Sequence, residues 1–243
     1  MTLARRLHEQ GVWAVDEAMI PLADTAKQKR TPVVTMVLVA ANFCAFGWEL
    51  WLGFDGGPKL QASVIETHAL VAQRAIAQWD SVGQWQTVVT HMFLHGGWAH
   101  LLGNVWFLWI FGGNVEDRLG AFKFLLFYLL AGFVAAGVQV AVDPGSAVPM
   151  IGASGAISGI LGAYLILFPT AWVWSLVPWI VPILPVPAVV FLVLWFTVQT
   201  FNGLGALAVG ATGGVAWWAH AGGFAAGVAL IVWAKRARWV RKK

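Results

Sequence analysis

The stretch from Pro149 to Gly162 reads "PMIGASGAISGILG" and sets Ser154 among glycines and alanines at the start of an apolar helical run. No charged side chain stands near it. Two readings compete: the small residues let helices pack closely, or they give another side chain close access to the serine oxygen. The surroundings are apolar well beyond the serine, since from Phe124 to Ala234 there is no Lys or Arg and Asp143 is the only acid. Charged residues make up 11% of the chain, where a soluble domain carries roughly 25%. With 59% hydrophobic residues and a mean hydropathy of +0.73, the chain is built for a bilayer, as one compact bundle.

A bilayer core requires about 20 mostly apolar residues per helix. Six candidates emerge: about Pro32 to Trp51; Trp98 to Phe111, extended upstream through "TVVTHMFLHGG"; Phe122 to Val142; from near Ser154 to Phe168, where Pro169 stops it; Pro185 to Phe201; and Gly214 to Trp233. Basic residues cluster at both chain ends, in the arm (Arg5, Arg6, Lys27, Lys29, Arg30) and in "KRARWVRKK" after the last span, so both termini are expected in the cytoplasm. The same distribution explains the net charge of +4 without nucleic acid. The expected organisation is an all-α, polytopic six-helix bundle in the cell (inner) membrane. It comprises a cytosolic arm (1–32) that lacks the order of a cleaved signal, a membrane domain (33–234) and a basic tail (235–243).

Between the first two spans, residues 53–84 form an outer segment that reads either as helical pieces on the membrane surface or as a solvated loop. Five prolines from Pro169 to Pro187 forbid a continuous helix there, and this stretch reads as an inner connection that dips into the membrane. Cys44 has no partner and reads as a packed thiol.

Spans two, four and six run in the same direction, so their N-terminal halves share a depth near the outer face. Those halves hold the polar residues. Span two carries His91, His95, His100 and Asn104, with His100 and Asn104 at i, i+4 on one helical face. Span four opens with Ser154 between Gly152 and Gly155, and span six carries His220 followed by Gly223 and Gly227. Polar groups at membrane depth are costly and tend to face the bundle interior. A serine hydroxyl needs a base to become a nucleophile, and bringing His220 within about 3 Å of Ser154 requires nearly backbone-to-backbone contact. The GxxxG pairs Gly155/Gly159 and Gly223/Gly227 permit such an approach. The helix N-terminus at Ser154, with His100 and Asn104 as side-chain donors, would favour a developing oxyanion.

Each piece has a plainer reading as well: small-xxx-small as packing, serine bonding back to its own backbone, His91 and His95 as structural groups. His91 and His95 lack a nearby Asp, Glu or Cys to complete a metal site, so no metal and no cofactor is expected. "GASG" is not a GxSxG elbow, because Ala156 stands at the final glycine and no strand precedes it.

Taken together, "HGGWAHLLGN", "GASGAISG" and "AHAGGFAAG", in that order on alternate spans, resemble the rhomboid intramembrane serine proteases, and the likeness runs from Met19 to Trp233 through "FGGNVEDRLG". The resemblance implies Ser154 as nucleophile, His220 as general base, and His100, Asn104 and Gly152 at the oxyanion positions, with His95, Gly155, Gly159, Gly223 and Gly227 in support. It implies transmembrane segments of other proteins as substrates and the lipid bilayer as the medium. Two departures stand out: Arg74 and Trp79 lie apart where many members carry a Trp-Arg pair, and Ser158 occupies a position where one branch has an aromatic packed on the histidine. Trp217, Trp218 or a residue of span two would then have to hold the imidazole. The rival classes are a non-catalytic relative that binds transmembrane helices and a small transporter, although no internal repeat supports the latter.

Overall fold

The computed structural model describes residues 19–177, 181–209 and 214–241. Most of the arm (1–18) and the last two residues of the tail lie outside that range. In chain order the elements are β1 (Ile20–Asp24), α1 (Val33–Asp55), α2 (Gly57–His68), α3 (Ala72–Ala77), α4 (Val82–Thr90), α5 (Trp98–Phe107), α6 (Gly113–Leu119), α7 (Ala121–Val142), α8 (Ser154–Leu167), β2 (Trp172–Val177), β3 (Val181–Pro187), α9 (Ala188–Ala208) and α10 (Trp217–Arg236). The described chain is mostly helical.

Among the described residues four helices, α1, α7, α9 and α10, are long and apolar enough to cross a membrane. The other two expected spans are built differently. A π-helical turn over Leu108–Gly112 joins α5 to α6, so the helical path runs from Trp98 to Leu119 with one extra residue per turn at its middle. Upstream it does not continue as expected: a 3₁₀ turn over His91–Phe93 ends at Leu94, an extended step through Gly97 follows, and the helix begins only at Trp98. His91 and His95 therefore precede the helix that carries His100 and Asn104. The helix α8 has 14 residues and, at 1.5 Å per residue, spans about 21 Å, short of the roughly 30 Å hydrocarbon core.

The "FGGNVEDRLG" motif has a structural explanation. The buried Glu116 carboxylate of α6 accepts the backbone N–H of Val34 (2.9 Å) and Thr35 (2.8 Å) and the Thr35 hydroxyl (2.8 Å). These are free donors of the first turn of α1, where Pro32 at the N-cap supplies no side-chain cap. Gly120, at φ +82°, turns the chain from α6 into α7.

The proline-rich connection departs from the all-helical expectation. Trp172–Val177 and Val181–Pro187 pair antiparallel, and β1 adds to β2, giving a three-stranded sheet of order β1-β2-β3. Proline forbids helix here but is tolerated in β3, which lies at the sheet edge. Asp24 at the end of β1 accepts hydrogen bonds from Asn114 Nδ2 (2.8 Å) and from Tyr164 OH, which ties the strand to α6 and α8. Burial raises the Asp24 carboxyl above its usual range, and the two donors partly offset this.

Residues 53–84 are helical, as one of the two readings held, in α2, α3 and the start of α4. Arg74 organises them: its guanidinium donates to the carbonyls of Glu66 (2.8 Å) and Ala69 (2.7 Å). Leu70 and Met150 bridge antiparallel, joining this segment to the loop that leads into α8.

Candidate active site

The site rests on the seam between α8 and α10. A methyl group placed at Gly223 would meet the Gly155 carbonyl oxygen at 2.1 Å, one at Gly227 the Gly159 carbonyl at 2.0 Å, and one at Gly162 the Phe224 carbonyl at 2.2 Å. The two backbones are in direct contact, with no room for side chains between them. Gly155 and Gly159 differ from the expected pairing in their direction. Their nearest neighbours are Ala135 and Ala131 of α7, so small residues hold α8 against two helices at once.

This seam sets Ser154, at the first position of α8, opposite His220, in the first turn of α10. The Ser154 hydroxyl lies 2.7 Å from His220 Nε2, and both residues are partly exposed. On the far side of the ring, His220 Nδ1 is 2.8 Å from Gln199 Oε1 of α9, and Gln199 is buried. A carbonyl oxygen can only accept, so Nδ1 carries the proton. That leaves Nε2 with its lone pair aimed at the Ser154 hydroxyl.

Gln199 was missed in the sequence, where a glutamine in an apolar span carries no motif. Its signal is that α9 has few polar positions facing the bundle. Around His220, Trp195 lies tilted at 6.1 Å and Trp217 edge-on at 6.2 Å. Of the two tryptophans expected to hold the ring, Trp217 is found there. Trp218 packs instead against Gly203. Ser158 donates back to the Ser154 carbonyl at 2.7 Å, the ordinary local bond of a helical serine, and does not reach the imidazole.

His100 comes to the same place from α5. The Gly96 N–H donates to His100 Nδ1 (3.3 Å), so the remaining proton of the neutral ring sits on Nε2. Gly152 faces that nitrogen: a side chain on Gly152 would come within 2.6 Å of His100 Nε2, and its φ of +119° is one that glycine alone adopts readily. Gly152 is therefore a space-making residue. Its own N–H is already committed to the His91 carbonyl (2.8 Å), so it is no free oxyanion donor. Asn104 sits one turn below His100 and uses an amide N–H on the His100 carbonyl (2.9 Å), which leaves it a second N–H to offer.

The two upstream histidines are structural neighbours of this group. His91 is buried, with Nδ1 2.9 Å from the Thr87 carbonyl, and its own carbonyl holds Gly152. His95 is buried with its ring centroid 5.1 Å from that of His100, and its backbone N–H donates to the Glu49 carboxylate (3.1 Å). Among the described residues no group of His, Cys, Asp and Glu could hold a metal ion. Chemically the arrangement offers a hydroxyl with its proton already shared by a base, at a helix N-terminus, beside an imidazole N–H donor.

Comparison with known proteins gives a consistent result. A family model described as the Rhomboid domain matches residues 82–237. Similar proteins include the rhomboid protease GluP of Bacillus subtilis (33% identical over 142 residues, 57% of this chain and 25% of that protein). The putative rhomboid protease YdcA of the same organism is 32% identical over 138 residues, 55% of this chain and 61% of that protein. Rhomboid-like protein 11, chloroplastic, of Arabidopsis thaliana is 42% identical over 90 residues, 37% of this chain and 31% of that protein. The match spans between about a quarter and three-fifths of the length of these relatives.

Proposed function

This chain belongs to the rhomboid family, and from that premise we propose that it is an intramembrane serine endopeptidase acting through Ser154 and His220. The observation that carries the reading is the aligned set Ser154 Oγ, His220 Nε2, His220 Nδ1 and Gln199 Oε1, with a 2.7 Å and a 2.8 Å contact on opposite sides of one ring. His220 accepts the Ser154 proton as the oxygen attacks a peptide carbonyl of a locally unwound transmembrane segment. Gln199 keeps the imidazole in the tautomer that can do so. The Ser154 N–H, His100 Nε2–H and Asn104 stabilise the oxyanion, and protonated His220 then donates to the leaving amine. Water hydrolyses the acyl-enzyme by the same steps in reverse order.

The bundle crosses the membrane six times, with α5 and α6 together forming the second span and α8 the fourth. Both ends are cytoplasmic, in keeping with the basic arm (1–32) and tail (235–243) that flank the domain at 33–234 in the cell membrane. With its C-terminal end at the inner surface, the short α8 starts about 9 Å below the outer edge of a 30 Å core. A nucleophile at that depth suits substrates that are themselves transmembrane segments.

The test is covalent labelling of the purified full chain with a fluorophosphonate, alongside cleavage of a membrane-spanning test substrate in proteoliposomes. Wild type should label and cut, and Ser154→Ala should do neither while keeping its thermal unfolding profile. A non-catalytic helix-binding bundle or a transporter gives no label at Ser154. Cleavage retained by Ser154→Ala would refute the reading.

A further inference from the structure

At the end of the bundle remote from Ser154, a cavity of about 460 Å³ opens between the β1–α1 connection, α6 and the tail. Its volume lies in the range of small-ligand sites, roughly 300–1,000 Å³. Five cations from three separate parts of the chain line it: Lys27, Lys29, Arg30, Arg118 and Arg241. Among the described residues Asp117 is the sole acid in the lining, and its Oδ2 is 3.3 Å from the Lys29 backbone nitrogen, a contact that leaves the lysine ammonium uninvolved. The described residues of the lining thus carry a formal excess of four positive charges, five cations less one carboxylate. Among the described residues none of the five cations forms an ion pair with a carboxylate.

Two of them are held in place by other means. Arg118 Nε donates to the Arg241 carbonyl (3.0 Å), and its guanidinium lies 5.7 Å from the Phe168 ring centroid. Arg241 returns its backbone N–H to the Arg118 carbonyl (2.8 Å). A converged set of cations with no carboxylate partner among the described residues, partly pre-oriented, favours the entry of an anion.

We propose that this cavity is a binding site for the phosphate of an anionic membrane phospholipid. Arginine and lysine supply the forked and point-charge donors that a phosphodiester accepts, and Phe168 gives one apolar wall. A lipid suits the place better than a free phosphate. The neighbouring helix starts present exposed apolar side chains, Val33 and Met36 on α1 and Phe122 on α7, along which acyl chains can lie. Basic pockets at this level of a helical bundle attract anionic headgroups. Which leaflet supplies the lipid follows from the orientation proposed above. The site itself depends on neither that orientation nor proteolysis.

The experiment uses full-length Ser154→Ala protein in neutral detergent, titrated with short-chain phosphatidylglycerol, short-chain phosphatidylcholine and inorganic phosphate, with bound adducts counted by native mass spectrometry. Phosphatidylglycerol should bind saturably. Phosphatidylcholine and inorganic phosphate should be much weaker. The side chains of Lys29 and Arg30 are exposed and hold no other element, so the K29Q/R30Q variant keeps the fold. It should bind phosphatidylglycerol roughly tenfold or more weakly. The charge-matched K235Q/R236Q variant removes two exposed cations from the end of α10 that do not line the cavity, and it should bind as wild type. Equal binding of phosphatidylcholine, equal loss in both double variants, or inorganic phosphate binding as tightly as the lipid would each overturn the proposal.

Discussion

Gly223→Ala tests the seam on which the site depends. The added methyl would stand 2.1 Å from the Gly155 carbonyl oxygen, where ordinary contact begins at 3.4 Å. The obstacle is backbone, which has no rotamer to move out of the way. The helices must therefore part by about 1.3 Å along that line, because a close-packed interior cannot absorb the overlap elsewhere. Gly155 directly follows Ser154, and Gly223 lies one turn from His220 on the same face, so the parting is felt at the reacting pair. Their 2.7 Å contact would lengthen toward about 4 Å, beyond hydrogen-bond reach. A misplacement of about 1 Å costs on the order of 10²-fold in rate. The expected result is a fall of that order in both fluorophosphonate labelling and kcat for a transmembrane test substrate. The thermal midpoint should also drop, in line with an overpacking cost of about 1–3 kcal/mol. Gly205→Ala, on an exposed position of α9 with open space around it, is the control and should change neither. Wild-type labelling by folded Gly223→Ala would refute the claim that backbone contact positions the pair.

Gln199→Leu removes the acceptor of the His220 Nδ1–H and should lower kcat by about 5- to 150-fold with little change in KM, from about 1–3 kcal/mol for an orphaned buried donor. Gln199→Glu keeps an acceptor and should recover most of that loss, which a purely structural role would not predict. Asn104→Ala should cost on the order of 2.7–4 kcal/mol in transition-state stabilisation, read as kcat/KM, if its second N–H meets the oxyanion. Glu116→Ala orphans two backbone donors and the Thr35 hydroxyl at the start of α1. It should lower stability by about 2–5 kcal/mol in thermal unfolding, whereas Thr35→Val should cost far less.

Much of the architecture was legible because a bilayer imposes simple rules. Long apolar runs become helices since no water is present to satisfy their backbone groups, and that logic located α1, α7, α9 and α10 from composition alone. It failed where local chemistry intervened. His91 and His95 read as part of the second span because apolar residues surround them, yet the chain leaves the helix by Leu94 and re-enters it only at Trp98, beyond the Gly96-Gly97 pair. The five prolines announced an interruption between spans four and five. They could not announce strands, because β2 and β3 are completed by β1, some 150 residues earlier in the chain.

The sequence by itself determined the inventory: apolar spans, cations at the ends, and a serine, two histidines and an asparagine at corresponding positions on alternate spans. Those follow from hydropathy and helical period, which are local properties. Only the tertiary structure decided which atoms meet. Gln199 behind His220, Glu116 at the start of α1, and the Gly152 N–H committed to the His91 carbonyl are contacts between residues 21 to 82 positions apart. No periodicity carries that information, because it depends on how distant elements pack; at the α8–α10 seam, for one, the spacing is set by glycines packing against carbonyl oxygens on the facing helix.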